Sequence, residues 1–382
     1  MTIQSRHTAL FRATMLALTL AAASVSCGGG GSDSPMMAPI STQPPPVVVP
    51  TVNSTYASTA LVADTAGAAA RNDASLVNPW GIAFNPTGFV WVSNNATNNS
   101  TLYDGAGAPQ TLVVAIPAGA AGPARPTGIV FNGAQAFRVT QNGVTGPSAF
   151  IFVGEAGTVS GWSPAVNRLN AVTAVDTGAA GAVYKGLAIG TSAGATYLYA
   201  TDFRNGRVDV YDTNYQRVTL PGGNFVDPGL PVGYVPFGIQ GVNDRIYVSY
   251  AQKSGANLDE TTGAGLGVIN VFSTNGAFIG RLVTGGVLDA PWGMTIAPAN
   301  FGDFSNALLV ANSGDGRIHA YSPHSGALLG SLNKEDRTPI VIDGLWGIAF
   351  GNGVQGQATN ALFFTAGPAN ETRGLYGKIE LR

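Results

Sequence analysis

Acid–base chemistry has few candidates in this chain. Histidine occurs three times, as His7, His319 and His324. His319 sits in the alternating run Gly316-Arg-Ile-His-Ala-Tyr321, where Asp209 and Asn270 hold equivalent places in similar runs, so a surface or strand-edge role is expected. His324 falls in Pro323-His324-Ser325-Gly326, a turn by composition, and adjacency to Ser325 does not make a nucleophile–base pair. No HExxH or paired-cysteine metal pattern occurs. Gly263-Ala-Gly265-Leu-Gly267 precedes a strand pattern and not a helix, which argues against a nucleotide loop. Asp315, in Gly314-Asp315-Gly316, reads as a hairpin residue before a calcium ligand.

One constellation remains. Asn94, Glu155, Asp202, Tyr250 and Asn312 each follow a short β-rich run, and Arg125 and Lys185 each lie just before another. If these runs were brought around one axis, the seven side chains would ring a channel mouth as a convergent polar site. Glu155 and Asp202 bring the negative charge, so calcium is a candidate ion for them. Arg125 and Lys185 would instead favour an anionic ligand, and the two uses compete for the same field. A third outcome is that the polar groups satisfy each other and channel water.

The elements that must position these residues come from a repeat. Asn78-Pro79-Trp80-Gly81-Ile82-Ala83-Phe84 returns as Arg125-Pro126-Thr127-Gly128-Ile129, Tyr184-Lys185-Gly186-Leu187, Val235-Pro236-Phe237-Gly238-Ile239, Ala290-Pro291-Trp292-Gly293-Met294 and Leu345-Trp346-Gly347-Ile348. The glycines are 47, 58, 52, 55 and 54 residues apart. A period near 50 in strand-rich sequence signals a β-propeller. In the first unit, Gly81–Phe84, Phe89–Ser93, Thr101–Tyr103 and Thr111–Ile116 read as four strands of one antiparallel blade. The third strand echoes as Gly157–Trp162, Gly206–Tyr211, Gly267–Phe272, Gly316–Tyr321 and Gly377–Leu381. The second echoes as Ala149–Val153, Tyr197–Ala200, Arg245–Ser249, Ala307–Val310 and Ala361–Thr365. The expected fold is therefore all-β, a six-bladed propeller with four-stranded blades.

Three expectations follow from that ring. The repeated glycine lets neighbouring backbones approach at the crowded channel. Trp80, Phe237, Trp292 and Trp346 wedge between blades. The last unit has only three strands, so Tyr56–Val62 supplies the fourth by pairing with Gly377–Leu381 and closes the ring.

Composition bounds the rest. The net charge is −2 and only 10% of residues are charged, with no basic stripe, so nucleic acid is not an expected partner. Cys27 is the single cysteine, so there is no internal disulfide framework. Arg6, His7 and Arg12 precede the apolar run Met15 to Val25, the layout of a secretory signal, too short to span a bilayer as a mature helix. The run leads into Ser24-Val25-Ser26-Cys27-Gly28, which resembles a bacterial lipobox, with Ser24 where that pattern usually has Leu. Lipidation at Cys27 is the expectation, and cleavage near Ala23 that leaves a spare thiol is the alternative. Gly28 lacks the acidic retention signal, which favours the outer membrane in a diderm cell. The Gly/Ser/Pro-rich stretch through Pro50 reads as a semi-rigid tether. The division is thus 1–26 signal, 27–52 tether and 53–382 propeller.

The Pro-x-Gly-Ile and Gly-Arg-Val/Ile-x-x-Tyr patterns resemble NHL-type repeats. Phe225-Val-Asp-Pro-Gly-Leu-Pro-Val-Gly-Tyr-Val-Pro-Phe-Gly238, Leu309-Val-Ala-Asn-Ser-Gly-Asp-Gly316 and Gly344-Leu-Trp-Gly-Ile-Ala-Phe-Gly351 resemble more closely a family of secreted bacterial six-bladed propellers. The resemblance implies export and the ring, and brings no activity. Calcium-dependent lactonases are more distant six-bladed relatives, whose ligands do not map onto this chain. The expected role is a membrane-tethered module of the cell envelope. It would bind a small molecule or an envelope protein as a monomer, and touch the membrane only through lipid. The alternative is a metal-dependent hydrolase or lyase of lactone- or sugar-like molecules.

Overall fold

The computed structural model describes residues 52–255 and 259–382. The leader, Cys27 and the tether lie outside the described residues. Six sheets form six blades, antiparallel except where Arg71–Asn72 pairs parallel with Tyr56–Ala63 at the outer edge of the last blade. The innermost strands are Pro79–Phe84, Pro126–Phe131, Tyr184–Ser192, Tyr234–Val242, Pro291–Ile296 and Leu345–Phe350. They touch in ring order, and the sixth returns to the first. Second and third strands follow as expected, for example Val90–Asn94 and Asn99–Tyr103 in blade 1. The outermost strand of blade 1 is reduced to Val114–Ala115, shorter than the Thr111–Ile116 run implied. Blade 2 carries an extra hairpin, Arg138–Gln141 with Val144–Pro147. Among the described residues no helix is long and apolar enough to cross a membrane.

The ring closes through Tyr56–Ala63, which pairs antiparallel with Leu375–Leu381, with Tyr56 opposite Leu381 and Ala60 opposite Gly377. This is the pairing that the missing strand of the last unit required. Tyr56 anchors it by stacking near Phe301 and Phe304 and donating its hydroxyl to the Phe301 carbonyl at 3.0 Å.

The core is divided into six layers, one between each pair of neighbouring blades. Alternation along the second and third strands supplies them. Between blades 1 and 2, Trp91 stacks on Phe150 with ring centroids 4.2 Å apart, and Trp162 packs beside both.

The repeated glycines behave as the crowding argument requires. A Cβ on Gly81, Gly128, Gly186, Gly238, Gly293 or Gly347 would press into the backbone of the next blade's innermost strand. Buried hydroxyls fasten the same seams. Thr127 Oγ1 donates to the Tyr184 carbonyl, Thr201 to that of Phe237, Ser249 to that of Pro291 and Thr365 to that of Trp80.

The aromatic residues before the glycines correct the wedge expectation. Trp80, Phe237, Trp292 and Trp346 do not enter the layers between blades. With Phe203 they form a seventh cluster that plugs the channel at one end. Trp80 and Trp346 stack with centroids 3.6 Å apart, and Trp292 meets both edge-on. The glycine lets the strand run close to the axis there, so the preceding side chain points across the channel.

Candidate functional site

The plug sets the geometry of the site. The position before the glycine is Trp80, Thr127, Lys185, Phe237, Trp292 and Trp346 in blades 1 to 6. Lys185 is thus a lysine placed in an aromatic ring, and it is 1% exposed. Its ammonium Nζ lies 4.9 Å from the Trp80 ring centroid and donates to Glu155 Oε1 at 2.6 Å. Asp259 Oδ1 is 3.4 Å away. Trp292 Nε1 reaches across the channel to donate to the Lys185 carbonyl at 2.9 Å.

A hydrogen-bonded chain extends from this pair. Asn95 Nδ2 donates to Glu155 Oε2 at 3.1 Å, and Asn78 Nδ2 donates to Glu371 Oε2 at 2.8 Å. Burial alone would raise the Glu155 carboxyl. The Lys185 ammonium, with help from Asn95 and Arg125, outweighs it and holds the group below its usual value. Burial would likewise lower Lys185, but Glu155 foremost, then Glu260 and Asp259, keep it raised. Both partners are therefore charged at neutral pH, an ammonium and not a free amine.

Glu260 behaves differently. It lies on the hairpin extension of blade 4, where it pairs with Lys253. Burial pushes its carboxyl up to about 7, against the pull of Lys185. Burial also raises Glu371. Glu371 sits on a left-handed turn, with positive φ at Ala369 (55°), Asn370 (53°) and Glu371 (64°). Non-glycine residues there cost about 1–2 kcal/mol each. The turn is braced by Asp343 Oδ2, which accepts from the Ala369 N–H at 2.9 Å. Glu260, Asp315, Asp343 and Glu371 line a cavity of about 330 Å³ with Trp346 in its wall.

Of the seven residues expected at the channel mouth, Glu155 and Lys185 meet. Arg125 is exposed nearby, and its carbonyl accepts from Asn95 Nδ2 at 3.2 Å. Asn94, Asp202, Tyr250 and Asn312 point away from the axis, into their own blades or, for Tyr250, into the layer beside it. Asn94 donates to Asn99 and Thr101. Asp202 is fully buried, 3.1 Å from the Arg207 guanidinium. Tyr250 packs in the layer between blades 3 and 4. Asn312 bonds the Val287 carbonyl and Asp315.

The reason is register. Asn94, Asp202, Tyr250 and Asn312 lie opposite the first or third residue of their innermost strands, and the blade 2 residue at that place is Gly154. Glu155 is one residue further on, and one residue in a strand reverses the face. Its true equivalents are Asn95, Phe203 and Ala251, which do reach the axis. Glu155 and Asp202 thus serve separate cations, Lys185 and Arg207, and do not share an ion. Among the described residues no group of three or more His, Cys, Asp or Glu is arranged to hold a metal.

Sequence reasoning missed Asn78, Asn95, Glu260 and Glu371. Asn78 and Asn95 had a signal, since each adjoins a repeated strand. Glu260 and Glu371 lie in insertions outside the repeat. His319 is also corrected. It is buried in blade 5, with Nδ1 2.8 Å from Ser331 Oγ, because the outermost strand covers it. Its burial lowers its pKa. His324 is exposed in its turn, as composition implied.

Known proteins agree with this architecture. Uncharacterized protein R648 of Acanthamoeba polyphaga mimivirus is 34% identical over 325 residues, covering 84% of this chain and 78% of its own. Uncharacterized protein L690 of the same virus is 32% identical over 318 residues, covering 81% and 82%. The chain belongs to the family of these two proteins. The relatives are viral, so membership itself carries neither the bacterial nor the NHL part of the resemblance. No family model matches the chain. Among solved structures, the soluble aldose sugar dehydrogenase of Escherichia coli in its apo-form superposes with TM-score 0.51 at 14% identity, covering 86% of this chain and 100% of that one. A Bacteroides thetaiotaomicron protein of unknown function gives TM-score 0.51 at 11%, covering 80% and 70%. At such identities the likeness is one of fold.

Proposed function

We propose that the protein is a ligand-binding module of the cell envelope, exported and held to the membrane by lipid at Cys27. The observation that carries the binding reading is the plugged channel end. It presents a rigid aromatic floor, an occupied ion pair and an adjoining carboxylate-lined cavity on one face. Small-molecule sites take this concave form, with a few placed polar groups over apolar walls. The export and tether rest on the leader pattern of residues 1–50 alone. Mass spectrometry of the mature N-terminus tests them, and an unmodified Cys27 in a soluble form would refute the tether.

The binding reading is tested by thermal-shift screening of small molecules against the wild type, then against Glu371→Gln and Trp346→Phe. A ligand that binds only the folded state raises the melting temperature with concentration. Hits that lose their shift in either variant support binding at the plugged face, and hits that keep it place binding elsewhere. One observation favours an enzyme as the second reading. A carboxyl near 7 beside a cavity, as at Glu260, suits general acid–base work. Turnover of a hit that disappears in Glu260→Gln would replace the binding reading with that one.

A further inference from the structure

Glycine follows asparagine at five places, after Asn132, Asn142, Asn205, Asn275 and Asn352. Such a pair carries its own chemistry. The glycine nitrogen can attack the asparagine side-chain carbonyl carbon, because no Cβ hinders the approach. A fold prevents this by holding the glycine N–H or the asparagine amide in hydrogen bonds that must open first.

Four of the pairs are held. Asn132 is 4% exposed, and its amide nitrogen donates to the carbonyls of Ala134, Ala136 and Ser148. Asn205 Nδ2 donates to Asp202 Oδ2 at 2.7 Å, and the Gly206 N–H to the Asp202 carbonyl at 2.9 Å. Asn275 Oδ1 accepts from the Ala277 N–H at 3.2 Å, and the Gly276 N–H donates to the Ser273 carbonyl at 2.9 Å. Asn352 Nδ2 donates to the Asn85 and Gly88 carbonyls at 2.6 and 2.8 Å, and the Gly353 N–H to the Gln357 carbonyl at 2.8 Å.

The pair at Asn142 differs on both counts. Asn142 and Gly143 are exposed, and among the described residues neither the Asn142 amide nor the Gly143 N–H has a hydrogen-bond partner. They form the two-residue loop of the extra blade 2 hairpin, with φ of 51° and 77°. A Cβ on Gly143 would meet nothing within 4 Å. The stem below is a two-stranded ribbon, Arg138–Gln141 with Val144–Pro147, an arrangement that opens locally at low cost. Opening frees the backbone rotation that the attack needs.

We propose that Asn142 is a modification site, which the chain converts through a succinimide to isoaspartate and aspartate. The Gly143 N–H loses its proton to hydroxide. Its nitrogen then bonds to Asn142 Cγ, and Nδ2 leaves as ammonia with a proton taken from water. Water next adds to one ring carbonyl and breaks that carbonyl's bond to the Gly143 nitrogen. Opening at the Asn142 backbone carbonyl gives isoaspartate, whose main chain runs through the side chain and is one methylene longer. Opening at Cγ gives aspartate. One water is consumed, one ammonia is released, and nothing is oxidised or reduced. Either product adds one negative charge to a chain whose formal net charge is −2. The longer main chain of isoaspartate no longer fits a two-residue loop, so the pairing of Gln141 with Val144 loosens. The hairpin leaves blade 2 after Phe131, at the end of the innermost strand away from the plug, so the plugged face takes no part.

The test incubates the full chain at mildly alkaline pH in heavy-oxygen water, beside the same chain unfolded in urea. Both are digested and sequenced by mass spectrometry. In the folded chain, the Asn142 peptide should take up heavy oxygen at least about tenfold faster than those of the other four pairs. In urea the five should convert at similar rates, so that the selectivity comes from the fold. Asn142→Gln has a side chain too long to close the same ring, and it should remove the acidic form seen by ion exchange. Equal rates for the five pairs in the folded chain overturn the proposal. So does an Asn142 that stays intact while folded and converts in urea. An acidic form that persists in Asn142→Gln places the chemistry elsewhere and rejects it as well.

Discussion

Lys185 shows how one substitution in a repeat creates a polar centre inside an apolar one. Four of the six blades put an aromatic ring at its position, and the plug closes around it. The pair with Glu155 is nearly dry on the lysine side, so its members depend on each other. Removing one partner of a buried pair costs about 3–5 kcal/mol, because the other is left charged and uncompensated. Lys185→Met is thus expected to lower stability by about that amount in denaturant unfolding. Adding Glu155→Gln should restore more than half of the loss. A single variant that unfolds like the wild type would show that water reaches the pair. Glu260 gives a pH signature. Its carboxyl is raised from 4.5 to about 7 on folding, so the unfolded state releases this proton first. Its contribution to stability is complete below pH 4.5, declines as pH rises toward 7 and is flat above. The groups that face it are Lys185, Glu371 and Asp259. Buried His319 has the opposite slope over part of this range, so the comparison must be between variants. Glu260→Gln should gain stability relative to the wild type as pH is raised from 4.5 to 7. Parallel pH profiles of the two would show that Glu260 titrates normally.

Within each blade, the strand is what the sequence displays most clearly. Two alternating echoes and a glycine returned six times located nearly every inner, second and third strand. The glycine itself has a testable cause. Gly293→Ala would drive a methyl group into the Trp346 backbone of the next blade, whereas a methyl group on Gly280 meets nothing within 4 Å. Overpacking of this kind costs about 1–3 kcal/mol, so Gly293→Ala should lower the melting temperature while Gly280→Ala leaves it nearly unchanged. Equal melting of the two would remove the crowding argument. Side-chain direction was less legible, because it turns on a single residue of register. Asn94 and Asn95 are neighbours of the same type, yet Asn94 closes its own hairpin and Asn95 bonds Glu155. The aromatic residues before the glycines were read as wedges, since the interblade layers also need large rings. Trp91, Phe150 and Trp162 fill that role instead. Glu260 and Glu371 had no periodic signal, because their loops belong to one blade each.

The whole ring depends on a contact between its ends. The pairing of Tyr56–Ala63 with Leu375–Leu381 covers an edge that would otherwise be open. Deletion through Val62 should cause aggregation or a large fall in melting temperature, and deletion through Pro50 should be nearly neutral. Identical melting of the two truncations would contradict the closure. A closed ring also explains why the plugged face can serve as a site. Loops from six blades meet there on a frame that cannot splay, so Trp346 and the carboxylates beside it are held without a ligand. The five tryptophans allow this to be measured directly by nuclear magnetic resonance of their indole N–H groups. The Trp346 signal is assigned by its loss in Trp346→Phe. Titration with a hit from the thermal-shift screen is predicted to move the Trp346 resonance progressively to saturation and to leave that of Trp162, in the layer between blades 1 and 2, unmoved. A hit that binds with a stationary Trp346 signal, or that moves Trp162 instead, would contradict the account.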